Sequence, residues 1–361
     1  MTKVKKLEGE LIPLSEVEAA LHDAWLSAGL PGAARACTRN LVSALTGPDV
    51  LEPVLDLLSQ MVEQHPSRMI LIVPDEGTPE PGMAASVKVA CPSPLVRPFC
   101  CEQIILHVRR DVWQHAHSGI LPLLLPELPV NLWWQRPLDR EDPLFVRLRD
   151  LADNLLVDSA LSQVPEETIF TLSEVQEGFL WGAMDLSWAR LTPWRELIAQ
   201  MFDPMDRRPY LWGIDHVIVT AVSAAVGTAA ALYLTGWLAG RLGWTPQNRW
   251  RTGARTRELH FSRDGKAITV TINRARMETV SPLARVRVHA RSTMTAEFVI
   301  ELRDEPDLAR ITTEVGNTHV RQTVSTHWLN RAEAFGEALR FNGHDRIFEE
   351  SLGVVRRLLA P

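Results

Sequence analysis

Residues 221 to 240 read AVSAAVGTAAALYLTGWLAG, an uncharged run about as long as a helix that crosses a bilayer. The run is built from Ala, Gly, Ser and Thr more than from Leu, Ile and Phe, so moving it into lipid would gain little. It is therefore expected to form a helix buried on most sides of a soluble domain rather than a membrane anchor. The preceding DHVIVTA reads as a strand, giving a strand–helix unit. Val226-Gly227-Thr228 follows that strand with a single glycine, too few for a phosphate cradle, and Gly227 reads as a point of close helix packing.

Upstream, Leu14, Val17, Leu21, Ala24, Trp25 and Ala28 recur at three- and four-residue spacing behind a Ser15-to-Glu18 capping box, which predicts a helix from about residue 15. A second helix is expected across 34 to 45, and a third after Asp49, carrying Val50, Val54, Leu57, Leu58 and Met61. The pattern then changes to short apolar runs typical of strands: residues 69 to 73, the alternating Ala85, Val87, Val89 and Cys91, and Phe99 to Val108. Further strands at 130 to 134 and 154 to 158 flank a helix with Phe145, Leu148 and Leu151. Alternating strands and helices predict an α/β N-terminal domain over residues 1–165. Residues 159 to 175 show little periodicity and include Pro165, which places the boundary there.

The second domain, residues 166–361, is expected to be mixed α+β with an antiparallel sheet packed by helices. A helix spans about 187 to 202, with Leu191, Trp194, Ile198 and Met201 inward and Arg195 about 100° around the axis. Strands RELHFS and KAITVTIN flank Arg263-Asp264-Gly265, a hairpin signal because Asp-Gly tolerates positive φ. Four more strands follow between 284 and 326, and two helices close the chain, the last with Phe348, Leu352, Val355 and Leu359 on one face.

Charge and cysteine content narrow the function. With 38 basic and 44 acidic residues the formal charge is -6, which gives no general attraction to nucleic acid or anionic lipid. Cys37, Cys91, Cys100 and Cys101 are too few and too unevenly spaced for a disulfide framework, and the N-terminal residues do not read as a signal peptide. A reducing cytoplasm is the expected setting. A vicinal bridge between Cys100 and Cys101 would be strained, and the pair reads as two buried thiols on a strand. The sequence carries no P-loop, dinucleotide fingerprint, nucleophile elbow or zinc-protease motif. His115 and His117 lack the further ligands of a zinc site, so neither a metal nor a cofactor is expected. One alternative stays in view, a sensor or enzyme that binds a sugar phosphate or nucleotide in the α/β domain. There His65, Ser67 and Arg68 could contact a phosphate, or Arg68 could make an ion pair beside a turn.

Tryptophan is over-used: twelve Trp against two Tyr. Trp and Arg are common anchors of protein interfaces, so Trp188, Arg190, Trp194 and Arg195 are candidate partner contacts, against the reading that the aromatics only fill a core. Trp133 and Trp134 are consecutive on a strand and point to opposite faces, so one of them, Trp134 in the candidate set, could reach the surface or an interdomain seam.

Several strings resemble the OpcA-type glucose-6-phosphate dehydrogenase assembly proteins of actinobacteria and cyanobacteria: HPSR from His65 to Arg68, Cys101-Glu102-Gln103-Ile104, LPLLLPELPVNLWW from Leu121 to Trp134, and NLLVDS at 154 to 159. The most specific is DLSWARLTPWRELIAQMFD from Asp185 to Asp203, followed in order by GWLAGRLGW from Gly236 to Trp244. The resemblance implies a non-catalytic partner that binds glucose-6-phosphate dehydrogenase and promotes its assembly or activity, affecting oxidative pentose phosphate flux and NADPH supply. It brings no catalytic residues, and the charge balance and the composition of residues 221 to 240 lead to the expectation of no nucleic-acid or membrane partner.

Overall fold

The computed structural model describes residues 10–27, 34, 35, 37–90, 99–177, 182–222, 224–250, 256–277, 279–303, 305, 307–341 and 343–360. It divides into two compact units, Met1–Val157 and Asp158–Pro361. The break falls eight residues before the expected 165/166 boundary. Within residues 159 to 175, where little periodicity marked the boundary, the chain forms most of the helix Pro165–Glu177, which buries Ile169, Leu172 and Val175. Its mixed polar sequence hides a narrow apolar stripe, and Pro165 opens it because a first-turn position needs no N–H donor.

In the first unit the strands are β1 (Ala34–Arg35), β2 (Arg39–Ala44), β3 (Ser67–Pro74), β4 (Met83–Ala90), β5 (Phe99–Val108), β6 (Val130–Trp134) and β7 (Asn154–Val157). Their order is β1-β5-β3-β2-β6-β7, every neighbouring pair parallel, with β4 antiparallel along β5. The helix expected across 34 to 45 is not there: Arg39–Ala44 is the strand between β3 and β6, buried at all six positions. A central parallel strand is covered on both faces and therefore loses the alternation that would have marked it. The same double coverage buries Trp133 and Trp134 together, at 0% and 2% exposure, so neither ring reaches the surface.

In the second unit, after the helix Pro165–Glu177, come β8 (Gly182–Asp185) and the strands of an eight-stranded sheet: β9 (Ile214–Val222), β10 (Thr245–Pro246), β11 (Thr256–Arg263), β12 (Lys266–Ala275), β13 (Leu283–Arg291), β14 (Thr295–Leu302), β15 (Leu308–Val315) and β16 (Thr318–Ser325). The order is β10-β11-β12-β9-β13-β14-β15-β16. All neighbours are antiparallel except β9 and β12, so the sheet is mixed rather than purely antiparallel. The exception follows from connectivity. The chain leaves β9 into the helix Ala225–Leu242, crosses back, and returns through the β11–β12 hairpin to lie parallel beside β9. Asp264 and Gly265 take φ of 50° and 76° at that hairpin, as the turn residues required.

Alternation is clear in this sheet. Val286, Val288, Phe298, Ile300, Ala309 and Ile311 are buried, whereas Arg285, Arg287, His289, Glu297, Glu301 and Arg310 between them are only partly covered. One face packs on the core and the other meets water. The helix Ala225–Leu242, charged only at Arg241 in its last turn, buries thirteen of its 18 residues and ends at Gly243 with φ 68°. No helix of the described residues is long and apolar enough to cross a membrane. Gly227 is needed for the turn into this helix, because a Cβ there would sit 2.1 Å from the Val222 carbonyl oxygen. The close helix packing expected of Gly227 is made instead by Gly236, whose Cβ would lie 2.6 Å from the Ser351 carbonyl oxygen on the helix Arg346–Leu359.

Candidate functional site

The segment from Asp185 to Asp203 forms the helices Leu186–Ala189 and Thr192–Met201, and its distinctive side chains turn inward. Trp188 is 1% exposed and Trp194 fully buried. The Trp188 indole packs against Tyr233 and Phe348, centroids 6.2 and 5.6 Å away, and donates its N–H to Asp345 at 3.2 Å. Asp345 in turn caps the helix Arg346–Leu359 by accepting from the Ile347 and Phe348 amides. Trp194 packs against Trp328 at 5.1 Å and donates to the Ser281 hydroxyl at 2.8 Å. These rings are core, so the expectation that they anchor a partner is corrected: the 3.6-residue period that places Trp194 beside Leu191 and Ile198 directs it into the domain.

The two arginines are also drawn in. Arg190 makes a two-pronged ion pair with Asp158, at 2.8 and 2.9 Å, and both side chains are nearly buried. Arg331 adds a third contact to Asp158 at 3.3 Å. Arg195 lies over the Trp188 ring, 3.7 Å from its centre, and donates to the Thr192 hydroxyl at 2.8 Å. Burial lowers its guanidinium to about 10 against the pull of Asp345, Glu337 and Glu196. A charge so placed serves the stack more than the solvent. Deeper still, Asp185 accepts from the Ser159 and Ser187 amides and from the Tyr233 hydroxyl at 2.8 Å. Burial pushes the Asp185 carboxyl up, with these bonds opposing.

In the first unit the candidate anion contacts are also committed. Arg68, 1% exposed, donates to Glu102 at 2.7 Å, to Glu18 at 2.6 Å and to the Leu123 carbonyl at 2.8 Å. Glu102 is fully buried and also accepts from the Trp25 indole at 2.9 Å. The Ser67 hydroxyl donates to the His65 carbonyl at 2.8 Å, and His65 is buried. A phosphate at Arg68 would have to displace two carboxylates, so of the two readings offered for His65, Ser67 and Arg68 the geometry favours the structural ion pair over the candidate anion site. Trp134 is occupied in the same way, donating to the Pro137 carbonyl at 3.1 Å and meeting Phe145 edge-on at 5.0 Å. The Cys101 thiol is buried, accepts from the Ser67 amide at 3.2 Å and is pushed up to about 11, largely by burial. The Cys100 side chain lies outside the described residues. No group of three or more His, Cys, Asp or Glu among the described residues is placed to hold a metal ion.

What the sequence-marked residues build is therefore two cores, each crossed by a buried arginine–carboxylate link, in a two-unit protein of mixed α/β content. Residues 59–174 match a family model described as the N-terminal domain of the glucose-6-phosphate dehydrogenase subunit, and residues 181–352 match the model of its C-terminal domain. The chain belongs to the OpcA family of glucose-6-phosphate dehydrogenase assembly proteins.

Its similar curated proteins are named OpcA and assigned by name to the OxPP cycle. The Synechocystis protein is 34% identical over 50% of this chain and 38% of its own length. The Nostoc punctiforme protein is 28% identical over 84% of this chain and 67% of its own. The Synechococcus elongatus protein is 30% identical over 56% and 45% respectively. The chain thus spans about half the length of the curated relatives it matches. Among solved structures, an NAD binding oxidoreductase from Klebsiella pneumoniae superimposes with a TM-score of 0.49 and 9% identity, covering 89% of this chain and 95% of that one. Agreement of that size carries nothing about chemistry.

Proposed function

We propose that this chain is a non-catalytic partner of glucose-6-phosphate dehydrogenase that promotes its assembly or activity in the cytoplasm, and through it the oxidative pentose phosphate pathway and NADPH supply. The observation that carries this reading is the succession of two family domains over residues 59–174 and 181–352, both described as parts of a glucose-6-phosphate dehydrogenase subunit. The polar chemistry supports it. Arg68, Arg190, Asp158, Asp185 and Glu102 are each engaged by other side chains or by backbone of the chain itself.

The test is co-expression with the same organism's dehydrogenase, followed by size exclusion and an NADP-reduction assay. Co-elution, with altered dehydrogenase turnover and none from this chain alone, is expected. Turnover by the chain freed of host dehydrogenase, or separate elution with unchanged turnover, overturns the reading.

A further inference from the structure

Strand β16 forms one edge of the second unit's sheet and pairs with β15 alone. Its register runs without a bulge from Leu308↔Ser325 to Val315↔Thr318. Every residue of the strand is exposed except Val324, which is partly covered. Among the described residues, no backbone group of β16 bonds to anything beyond β15. Proteins usually blunt such an edge with proline, lysine, a bulge or a very short strand. The opposite edge of this sheet is blunted in that way, since β10 has two residues and one of them is Pro246. The sequence of β16, THVRQTVS, holds neither proline nor lysine, and its Thr and Val residues favour extended backbone.

The groups on the open side follow from the ladder. The Thr326 amide donates to the Asp307 carbonyl at 2.9 Å, continuing the β15–β16 register by one pair. Bonded and non-bonded pairs alternate along an antiparallel ladder, so Val324, Gln322, Val320 and Thr318 turn their backbone groups toward β15. His319, Arg321, Thr323 and Ser325 turn theirs outward. Val320, Gln322 and Val324 share a face with Thr313, Ile311 and Ala309, the core side of β15, yet Val320 is 42% exposed.

A two-fold axis perpendicular to the sheet lays this edge antiparallel against its own copy and keeps each side chain on its own face. With the axis at Gln322, every outward residue finds an outward partner: Arg321 meets Thr323 of the second copy and His319 meets Ser325, each in both directions. On the other face Val320 meets Val324, and Gln322 meets itself through an amide that both donates and accepts. Any other centre leaves an outward residue of the strand unmatched, and a centre at Arg321 also sets two guanidiniums against each other. We propose that β16 pairs with β16 of a second copy of this chain about an axis at Gln322, joining the two sheets into one. Backbone bonds supply the affinity and the matched side chains the register. The pairing is independent of the partnership proposed above.

Sedimentation velocity of the full chain between about 1 and 100 µM tests it. The wild-type mass should rise from one chain to two with concentration. Thr323→Pro removes an outward N–H from each copy and spares the β15 ladder, and it should weaken dimerisation about tenfold or more. Gln322→Lys and Gln322→Glu, each set against itself, should weaken it up to about fivefold, and an equimolar mixture of the two should restore it. Gln322 is exposed, so thermal midpoints of these two variants should stay near wild type and separate a lost dimer from a lost fold. A wild-type chain that remains single throughout overturns the proposal, and so does a dimer that all three variants leave intact. Weakening by both charge variants with no recovery in the mixture overturns the register. If the wild-type chain is single and Thr323→Pro instead abolishes binding of the dehydrogenase, the edge receives a strand of the enzyme, and the assignment to a second copy falls.

Discussion

Arg195 sits 3.7 Å from the centre of the Trp188 ring, and the same ring donates its N–H to Asp345, the cap of the helix Arg346–Leu359. The pair therefore ties two helices to the end of a third. Trp188→Ala should lose about 3–5 kcal/mol, because it opens a cavity among Tyr233 and Phe348 and strips a bond from Asp345. Arg195→Ala should lose less, about 1–2 kcal/mol, the scale of a desolvated cation–π contact. Denaturant midpoints of the two variants check the order. An Arg195→Ala chain as stable as wild type would show that the stack adds nothing beyond covering the ring.

The Asp158 carboxylate is 1% exposed and depends on Arg190 for its two shortest bonds. Arg190→Ala should cost about 3–5 kcal/mol by removing the forked contact and leaving the longer one from Arg331. Arg190→Lys should recover only part, since an ammonium cannot reproduce the fork. Equilibrium unfolding of both variants is the measurement, and full recovery by lysine would refute the geometric part of the argument.

His107 gives the first unit a pH dependence of defined sign. Its ring is buried between Ser86 at 3.2 Å and Asp75 at 3.0 Å, and burial lowers its pKa from 6.5 despite the pull of Asp75. Between that lowered value and 6.5 the unfolded chain binds more protons than the folded one, so stability rises with pH across the interval. The stabilisation is complete above pH 6.5 and is lost as pH falls from there through the folded-state value. His107→Gln should flatten this slope in unfolding measurements from about pH 5 to 8, at some cost in stability at neutral pH. An unchanged slope would assign the pH dependence to other groups.

The second unit was the more legible from sequence, and the reason is physical. Its sheet has one wet face, so β13 and β14 alternate Arg or Glu with Val, Phe and Ile, and the Asp264-Gly265 turn fixes the hairpin register. In the first unit β2 is covered on both faces, alternation disappears, and Leu41, Val42 and Leu45 fit a helix as well as a strand. The candidate site was misjudged for a related reason. Trp and Arg mark interfaces and also build buried cation–carboxylate cores, and composition alone does not separate the two uses.

Arg68 distinguishes an anion site from a structural link most directly. Its guanidinium is held by Glu102 of β5, Glu18 of the helix Val17–Ser27 and the Leu123 carbonyl at the end of the short 3-10 helix Leu121–Leu123, so it joins a strand and two helical segments of the first unit. Glu102 has no exposed side-chain surface, and without Arg68 it would keep the Trp25 indole but lose the guanidinium. Arg68→Ala should therefore destabilise the protein by about 3–5 kcal/mol. The double variant Arg68→Met with Glu102→Leu should be less damaged than either single change, because both members of the buried pair are then removed together. If Arg68 instead held a phosphate, inorganic phosphate or glucose 6-phosphate would raise the wild-type thermal midpoint, and the rise would vanish in Arg68→Ala. The expected result is no shift with either ligand up to millimolar concentration, because both carboxylates already occupy the guanidinium. A saturable shift lost in Arg68→Ala would return Arg68 to the role of an anion receptor.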